Sequence, residues 1–437
     1  MEKNSARIVI VGGGAAGLVL ATRLGNFYKR KKQHDVTITL VDATSTHIWK
    51  PLLHEISSGT LNSYDEELSY FAHSLRNGYD YVSGTVRSVD TAQRQINVAA
   101  VHDGIGDVVR EAIAIDYDFL VLAVGSFSND FNIQGVAEFC FVIDSRAEAE
   151  QLHRHISAHL LALKYGHRFS RERPLTVSIV GGGATGVELA TELKSVIEHL
   201  KKTNYIDGIE DLVKIRLIEA GKTLLPGQTP SNIAFAQRVV EQHGIEILTN
   251  SKVQGIAKEH LVLADGLILD SDIHVWATGI LAPPFLANIA GATVNAIGQL
   301  KVNSYLQCCD NEHVYAVGDC AEYIWNERRL APTAQAAQQQ ALYLYRSLIA
   351  RIEGAQQLDA FRYRDKGSLV SLGERWAIGN LNLGRSRQIG IRGYPAKLAY
   401  LSLHRRHQIE VLGWPRALIT LLRDFLAGSS RPRIKLH

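Results

Sequence analysis

The chain has 437 residues, of which 46% are hydrophobic and 21% charged, the balance of a globular protein too long for one ordinary core. Its formal charge of +3 is unevenly placed, because residues 385–437 hold eleven Lys and Arg against two acids and the remainder is net acidic. That asymmetry points to a membrane surface or a nucleic acid, and no nucleic-acid motif accompanies it. No stretch reaches the roughly 18 apolar residues that would exclude a peripheral attachment by spanning a bilayer.

The apolar run at residues 7–11 is already a strand and is too short for the core of a signal peptide. Residues 8–24 read IVIVGGGAAGLVLATRL: strand, G-x-G-x-x-G turn, helix. Gly12 permits the turn, Gly14 lets a pyrophosphate approach the backbone, and Gly17 brings the helix close to the sheet. The helix N-terminus then offers unpaired N–H groups to the phosphates. A later apolar strand ends at Asp42, an acid placed to accept hydrogen bonds from ribose hydroxyls. Residues 118–125 run from Asp118 through an apolar strand to a small-residue exit at Gly125.

The pattern then repeats at an offset of 169 residues. Residues 177–193 read VSIVGGGATGVELATEL, identical to the first copy at eleven of seventeen positions. Gly181, Gly183 and Gly186 take the places of the first three glycines, and a further strand ends at Glu219. An acid there also repels a 2′-phosphate, which favours NADH over NADPH, although Lys222 lies close by. Residues 272–279 echo residues 118–125, with Gly279 as the exit. The two exits predict that the second dinucleotide fold is inserted into the first. The copies differ where Val19 becomes Glu188, and an acid replacing a core-facing valine asks for a polar partner.

Beyond the repeat lie Val314-Tyr-Ala-Val-Gly318-Asp319 and a helix expected after Leu330, with Pro332 near its first turn. The tail carries two apolar stripes, at residues 395–407 and 414–426. Leu418, Leu421, Leu422 and Phe425 fall at helical spacing, and Trp414 and Arg416 suit an interface. Each run spans under 20 Å at about 1.5 Å per residue, so the pattern predicts helices lying in the headgroup plane of anionic lipid. Of the four cysteines, Cys140, Cys308, Cys309 and Cys320, none forms a C-x-x-C pair, and no His cluster accompanies them at metal-ligand spacing. Buried free thiols in a reducing compartment, and no metal site, are expected.

Two dinucleotide turns followed by Gly318-Asp319 resemble the flavoproteins with two dinucleotide-binding domains. The stretches HIWKPLLHE at residues 47–55, APTAQAAQ at 331–338, YRDKGSL at 363–369 and RPRIKLH at 431–437 narrow this. From Arg7 to His437 the motif order is similar to bacterial type II NADH dehydrogenases. The resemblance implies an α/β fold of two Rossmann-like domains, the NADH domain inserted in the FAD domain, with a C-terminal amphipathic, helical membrane-anchoring segment. Its expected divisions are residues 1–145 and 280–365 for FAD, 146–279 for NADH, and 366–437 for the membrane.

The resemblance further implies non-covalent FAD held by Gly12, Gly14, Gly17, Asp42, Lys50, Gly125, Gly318 and Asp319. NADH would be held by Gly181, Gly183, Gly186, Glu188, Glu219 and Gly279. Gln335 and Gln338 match glutamines where quinone meets the flavin, Lys366 a lysine at the flavin's pyrimidine end, and Glu188 an acid on the nicotinamide side. His54 and Glu55 are read as structural or as proton carriers to quinone. The implied enzyme is a non-pumping NADH:quinone oxidoreductase of a respiratory chain, peripheral on the cytoplasmic side of the inner membrane, with a homodimer compatible. Alternatives are a flavin-dependent reductase of a ferredoxin- or rubredoxin-like acceptor, or a flavin-binding sensor without turnover. The lack of a cysteine pair within residues 44–60 disfavours a disulfide reductase. The lack of cysteines after Cys320 disfavours a sulfide:quinone reductase.

Overall fold

The computed structural model describes residues 5–166, 169–308, 310–356, 358–382 and 388–427. Contacts divide the chain into two units. The first contains Met1–Trp49, Glu67–Phe127 and Ile280–Arg364; the second contains Lys50–Glu66, Ser128–Gly279 and Asp365–His437.

The first unit is built on a five-stranded sheet in the order Val314–Ala316, Phe119–Leu122, Ala6–Val11, Val36–Asp42, Asp80–Ser83. All its pairings are parallel. Ala6–Val11 is central and buried at every residue but Arg7, which accounts for its nearly continuous apolar run. Helix Gly17–Lys31 buries Leu18, Leu20, Leu24 and Tyr28 and ends in Lys29, Arg30 and Lys31, where positive charge meets the negative end of the helix dipole. A three-stranded antiparallel layer, Val86–Asp90, Gln95–Val98 and Ile113–Asp116, adds Val89, Ile96 and Val98 to the core around Leu120 and Leu122.

The second unit repeats the arrangement. Its parallel sheet runs Cys140–Phe141, Ile273–Trp276, Leu175–Val180, Val213–Ile218, Glu246–Leu248. The central strand, Leu175–Val180, is buried along its whole length. A second antiparallel layer, Val253–Ala257, His260–Leu263 and Ile268–Asp270, occupies the same place in the chain order as the first.

Both exit segments mark the change of unit, at Phe127/Ser128 and at Gly279/Ile280. The first change comes before residue 145 because Cys140 and Phe141 pair with His274 and Val275 of the second sheet. Residues 50–66 also group with the second unit, where helix Leu53–Ser58 packs on helices Arg146–Tyr165 and Ala184–Lys202.

The C-terminal part of the second unit opens with an antiparallel sheet, Gly367–Leu372, Trp376–Asn382 and Gln388–Arg392. Helix Tyr394–Leu412 packs on it and is followed, across Gly413, by helix Trp414–Ala427. Arg405 and Asp424, 2.8 Å apart, tie the two helices together. Tyr394, Leu398, Leu401, Leu403, Trp414, Leu418, Ile419, Leu421 and Leu422 are nevertheless exposed. Among the described residues no helix is long and apolar enough to cross a membrane. Arg385, the closing RPRIKLH segment, Cys309 and the Phe425 side chain lie outside the described residues. Cys140, Cys308 and Cys320 are free thiols.

Candidate active site

In the first unit the glycine turn is shaped by the strand beside it. Gly12 has φ +98°, and a Cβ there would stand 2.4 Å from the Ala123 carbonyl oxygen. A Cβ on Gly17 would stand 1.8 Å from the Gly12 carbonyl oxygen, so the helix reaches the turn only without a side chain. Nothing lies within 4 Å of a Cβ built on Gly14, which leaves the backbone there open to a ligand. Asp42 closes the turn: its carboxylate accepts the Gly13 N–H at 2.6 Å and the Thr44 N–H at 2.8 Å. Gly125, at φ +71°, also faces open space.

Ser126 donates to the Asp319 carboxylate at 3.1 Å, and Gln299 donates to the Asp319 carbonyl at 2.8 Å. The Gly318 N–H donates to the Gln340 side chain at 2.7 Å. Gln340 lies on helix Ala334–Ile352, which starts later than the sequence suggests. Thr333 is its N-cap, accepting the Ala336 N–H, so Pro332 falls just outside the helix. Gln335 and Gln338 occupy its first turns, half-buried. An open glycine turn, a clamped ribose-position acid and a held Gly-Asp pair are the donor and acceptor set that FAD requires.

The second unit builds the same device from different residues. Gly181 has φ +118°, and a Cβ on Gly186 would stand 1.9 Å from the Gly181 carbonyl oxygen, while the space over Gly183 is open. Glu219 accepts the Gly182 N–H at 2.7 Å and the Gly221 N–H at 2.6 Å. Gly279 has φ +71°, as Gly125 does, but a Cβ there would meet the Phe131 ring at 2.5 Å.

Glu188 is buried one turn into helix Ala184–Lys202, with Glu192 buried on the next. The Ser371 N–H donates to Glu188 Oε1 at 3.0 Å, His54 Nδ1 stands 3.6 Å from its Oε2, and Tyr400 hydrogen-bonds it. Glu55 Oε1 lies 3.9 Å from His54 Nε2. Lys397 donates to Ser371 Oγ and to the Gly373 carbonyl, both at 2.8 Å. Three acids, Glu188 and Glu192 buried and Glu55 half-buried, thus share one lysine.

Burial, opposed by the Ser371 N–H, pushes the Glu188 carboxyl up to about 8. Burial and then Glu192 push Glu55 up to about 7, and burial raises Glu192 against the pull of Lys397. Burial, reinforced by Lys397, lowers His54 to about 3. At neutral pH, therefore, Glu188 holds a proton while His54 is uncharged.

Lys50 begins a 3-10 turn and is exposed, and Lys366 is exposed immediately before strand Gly367–Leu372; both belong to the second unit. Sequence reasoning missed Gly13, His47, Tyr70, Gln340, Glu192, Lys397 and Tyr400. Glu192 carried a signal, because it replaces Arg23 of the first repeat one helical turn beyond Glu188. Lys397 carried a weaker one, as a cation near the start of an apolar stripe whose other basic residues cluster at its end. Among the described residues no cluster of three or more His, Cys, Asp or Glu is placed to hold a metal ion.

The pyridine nucleotide-disulphide oxidoreductase family profile matches residues 6–341. The type II NADH:quinone oxidoreductase of Haemophilus influenzae is 35% identical over 98% of this chain and 99% of its own. That of Staphylococcus aureus is 27% identical over 87% of this chain and 90% of its own. Among solved structures, NDH2 from Plasmodium falciparum in complex with NADH superposes with a TM-score of 0.81 at 22% identity, covering 99% of this chain and all of that one. The sulfide:quinone oxidoreductase of Aquifex aeolicus reaches 0.72 at 17% identity, over 94% of this chain and 92% of its own. At these identities the structural likenesses speak for the fold alone. By its family profile and its Haemophilus relative, the chain belongs to the pyridine nucleotide-disulphide oxidoreductase family and, within it, to the type II NADH:quinone oxidoreductases.

Proposed function

We propose that this chain oxidises NADH and reduces a membrane quinone, using non-covalently held FAD in the first unit. FAD, when bound, would supply the two-electron redox chemistry between NADH and quinone. The open turn at Gly12, Gly14 and Gly17 and the N-terminus of helix Gly17–Lys31 hold its pyrophosphate, Asp42 its ribose, and Asp319 its ribityl hydroxyls. Gly181, Gly183, Gly186 and Glu219 do the same for NADH. Glu219 brings two oxygens fixed by backbone donors, an arrangement that accepts ribose hydroxyls and repels a 2′-phosphate. Glu188 holds a proton on its carboxyl at neutral pH and lies on the nicotinamide side. Gln335 and Gln338 orient the quinone, and Lys366 serves the pyrimidine end of the flavin.

The observation that carries this reading is the pair of glycine turns, each with its own acid fixed by the middle glycine's N–H. The test is anaerobic stopped-flow absorbance of the purified protein. NADH should bleach the flavin much faster than NADPH, and a short-chain quinone should restore it. Bleaching without recovery would move the acceptor to a protein such as a ferredoxin. Bound FAD that NADH does not bleach would leave a sensor without turnover.

The exposed stripe on helices Tyr394–Leu412 and Trp414–Ala427, flanked by Arg406 and Arg416, lies on the cytoplasmic side of the inner membrane against anionic lipid. The quadruple change of Leu398, Leu401, Leu418 and Leu422 to Ser should abolish co-sedimentation with vesicles containing acidic phospholipid and leave FAD content unchanged. Undiminished co-sedimentation would refute the lipid assignment.

A further inference from the structure

Gly13 is not one of the three glycines that define the first turn, yet the structure uses both of its backbone groups. Its N–H donates to Asp42 Oδ2 at 2.6 Å. Its carbonyl accepts the Tyr70 hydroxyl at 2.8 Å and lies 2.9 Å from His47 Nδ1. The ring of Tyr70 fills the space a side chain at residue 13 would need: an ideal Cβ there would stand 2.4 Å from Tyr70 Cζ and from its hydroxyl oxygen.

The two donors arrive together. Thr46–His47 pairs antiparallel with Leu68–Ser69, and Tyr70 follows directly as the first residue of helix Tyr70–Asn77, which Ser69 caps. The Tyr70 N–H donates to the Ser45 carbonyl at 3.0 Å, which fixes the start of that helix. The ring of Tyr81 leans on Tyr70 with centroids 5.3 Å apart, and its hydroxyl donates to the Thr44 carbonyl at 2.6 Å. Thr44 in turn donates to Asp42 through N–H and hydroxyl, at 2.8 and 2.6 Å. Asp42, Gly13, Tyr70, Tyr81 and Thr44 therefore close a ring of contacts around the turn. His47 is buried, and burial lowers it to about 4; as a neutral imidazole facing a carbonyl it carries its proton on Nδ1.

Among the described residues the second turn has no such brace. There the Gly182 carbonyl accepts a backbone N–H, that of Leu225, at 2.8 Å. The carbonyl of the middle glycine is thus held by side chains in the first unit and by main chain in the second.

From this difference we infer that Tyr70 and His47 are positioning residues of the FAD-holding turn, setting how tightly FAD is kept by fixing the peptide plane between Gly13 and Gly14. Rotation of that plane would turn the Gly14 N–H away from the open space it faces, while Asp42 alone would still hold the Gly13 N–H. The inference rests on the FAD reading given above and adds the residues that regulate retention.

Holoenzyme diluted to nanomolar concentration, with free flavin followed by its regained fluorescence, provides the test. Tyr70→Phe removes one hydroxyl and keeps the ring, so the core packing is preserved. FAD should leave about three- to tenfold faster, the range expected for one neutral hydrogen bond. Combined with His47→Ala the loss should be larger. NAD⁺ affinity, which depends on the second turn, should not move in either variant. Tyr117→Phe is the control, because its buried hydroxyl has no hydrogen-bond partner among the described residues, and its release should match the wild type. Wild-type release from Tyr70→Phe, or equal weakening of FAD and NAD⁺, would overturn the brace. A wild-type protein that carries no FAD would instead bring down the cofactor reading, and the brace with it.

Discussion

The two dinucleotide turns both open on a glycine at positive φ, +98° at Gly12 and +118° at Gly181, yet they are stabilised by different parts of the chain. In the first, Tyr70 and His47 hold the middle glycine; in the second, Leu225 does so through its backbone. A site whose ligand stays bound is thus supported by side chains that selection can tune one at a time. In the site that must release its ligand at every turnover, Glu219 still holds the Gly182 N–H, and the Gly182 carbonyl is left to the main chain. The shared part and the divergent part can be separated by experiment.

The largest effect is expected where the copies agree. Gly17→Ala and Gly186→Ala each force a methyl group into a carbonyl oxygen less than 2 Å away. Gly17→Ala should yield protein without FAD, seen as loss of the visible flavin spectrum. Gly186→Ala should keep the spectrum and lose bleaching by NADH at least a hundredfold. If Gly186→Ala also loses flavin, the two turns do not serve different ligands.

A smaller effect is expected at Glu219. Glu219→Gln retains an acceptor for one backbone N–H and removes the charge that repels a 2′-phosphate. The preference for NADH over NADPH in kcat/KM should fall by about ten- to a hundredfold, a change of roughly 1.4 to 2.7 kcal/mol. An unchanged ratio would move the discrimination elsewhere in the second unit.

Among the described residues the acid cluster has no counterpart on helix Gly17–Lys31, where Val19 stands in the place of Glu188. Below the ordinary carboxyl value of 4.5 both folded and unfolded chains carry the Glu188 proton, and nothing is lost. Between there and about 8 the unfolded chain ionises while the folded one keeps its proton, so stability declines as pH rises. One such group gives a slope of about 1.4 kcal/mol per pH unit. Glu55, raised to about 7, steepens the lower part of the window. Glu188→Gln should flatten the dependence of the melting temperature on pH across this range and slow flavin reduction by NADH more than quinol formation. A variant with the wild-type pH slope would show that Glu188 is ionised in the folded protein.

Much of this was legible in the sequence because it rests on local rules. A G-x-G-x-x-G between an apolar strand and a helix, and an acid at the end of the following strand, are set by backbone geometry within a few tens of residues. The two antiparallel layers were not visible, since strands of three to five residues are too short to establish a period against the surrounding loops. Lys397 and Ser371 meet Glu188 from about 180 to 210 positions away, and the pairing follows from how the C-terminal sheet packs. Tyr70 was hidden for a related reason. Nothing in its neighbourhood marks it as touching Gly13, 57 residues earlier, except that Gly13 is a glycine where the motif demands none.

Helix Tyr394–Leu412 presents consecutive residues to opposite surroundings, with Lys397 buried beside the Glu188 cluster and Leu398 in the open. Deleting the tail to obtain a water-soluble enzyme would therefore also withdraw the lysine set among the Glu55, Glu188 and Glu192 carboxyl groups, and a dead truncation would say nothing about lipid. A detached but intact enzyme has to be reached by repainting only the outer side of that helix. The same economy constrains drift: an insertion of one residue between Gly393 and Lys397 would rotate the helix by about 100°, exchanging the residue that faces the carboxyls for one that faces out.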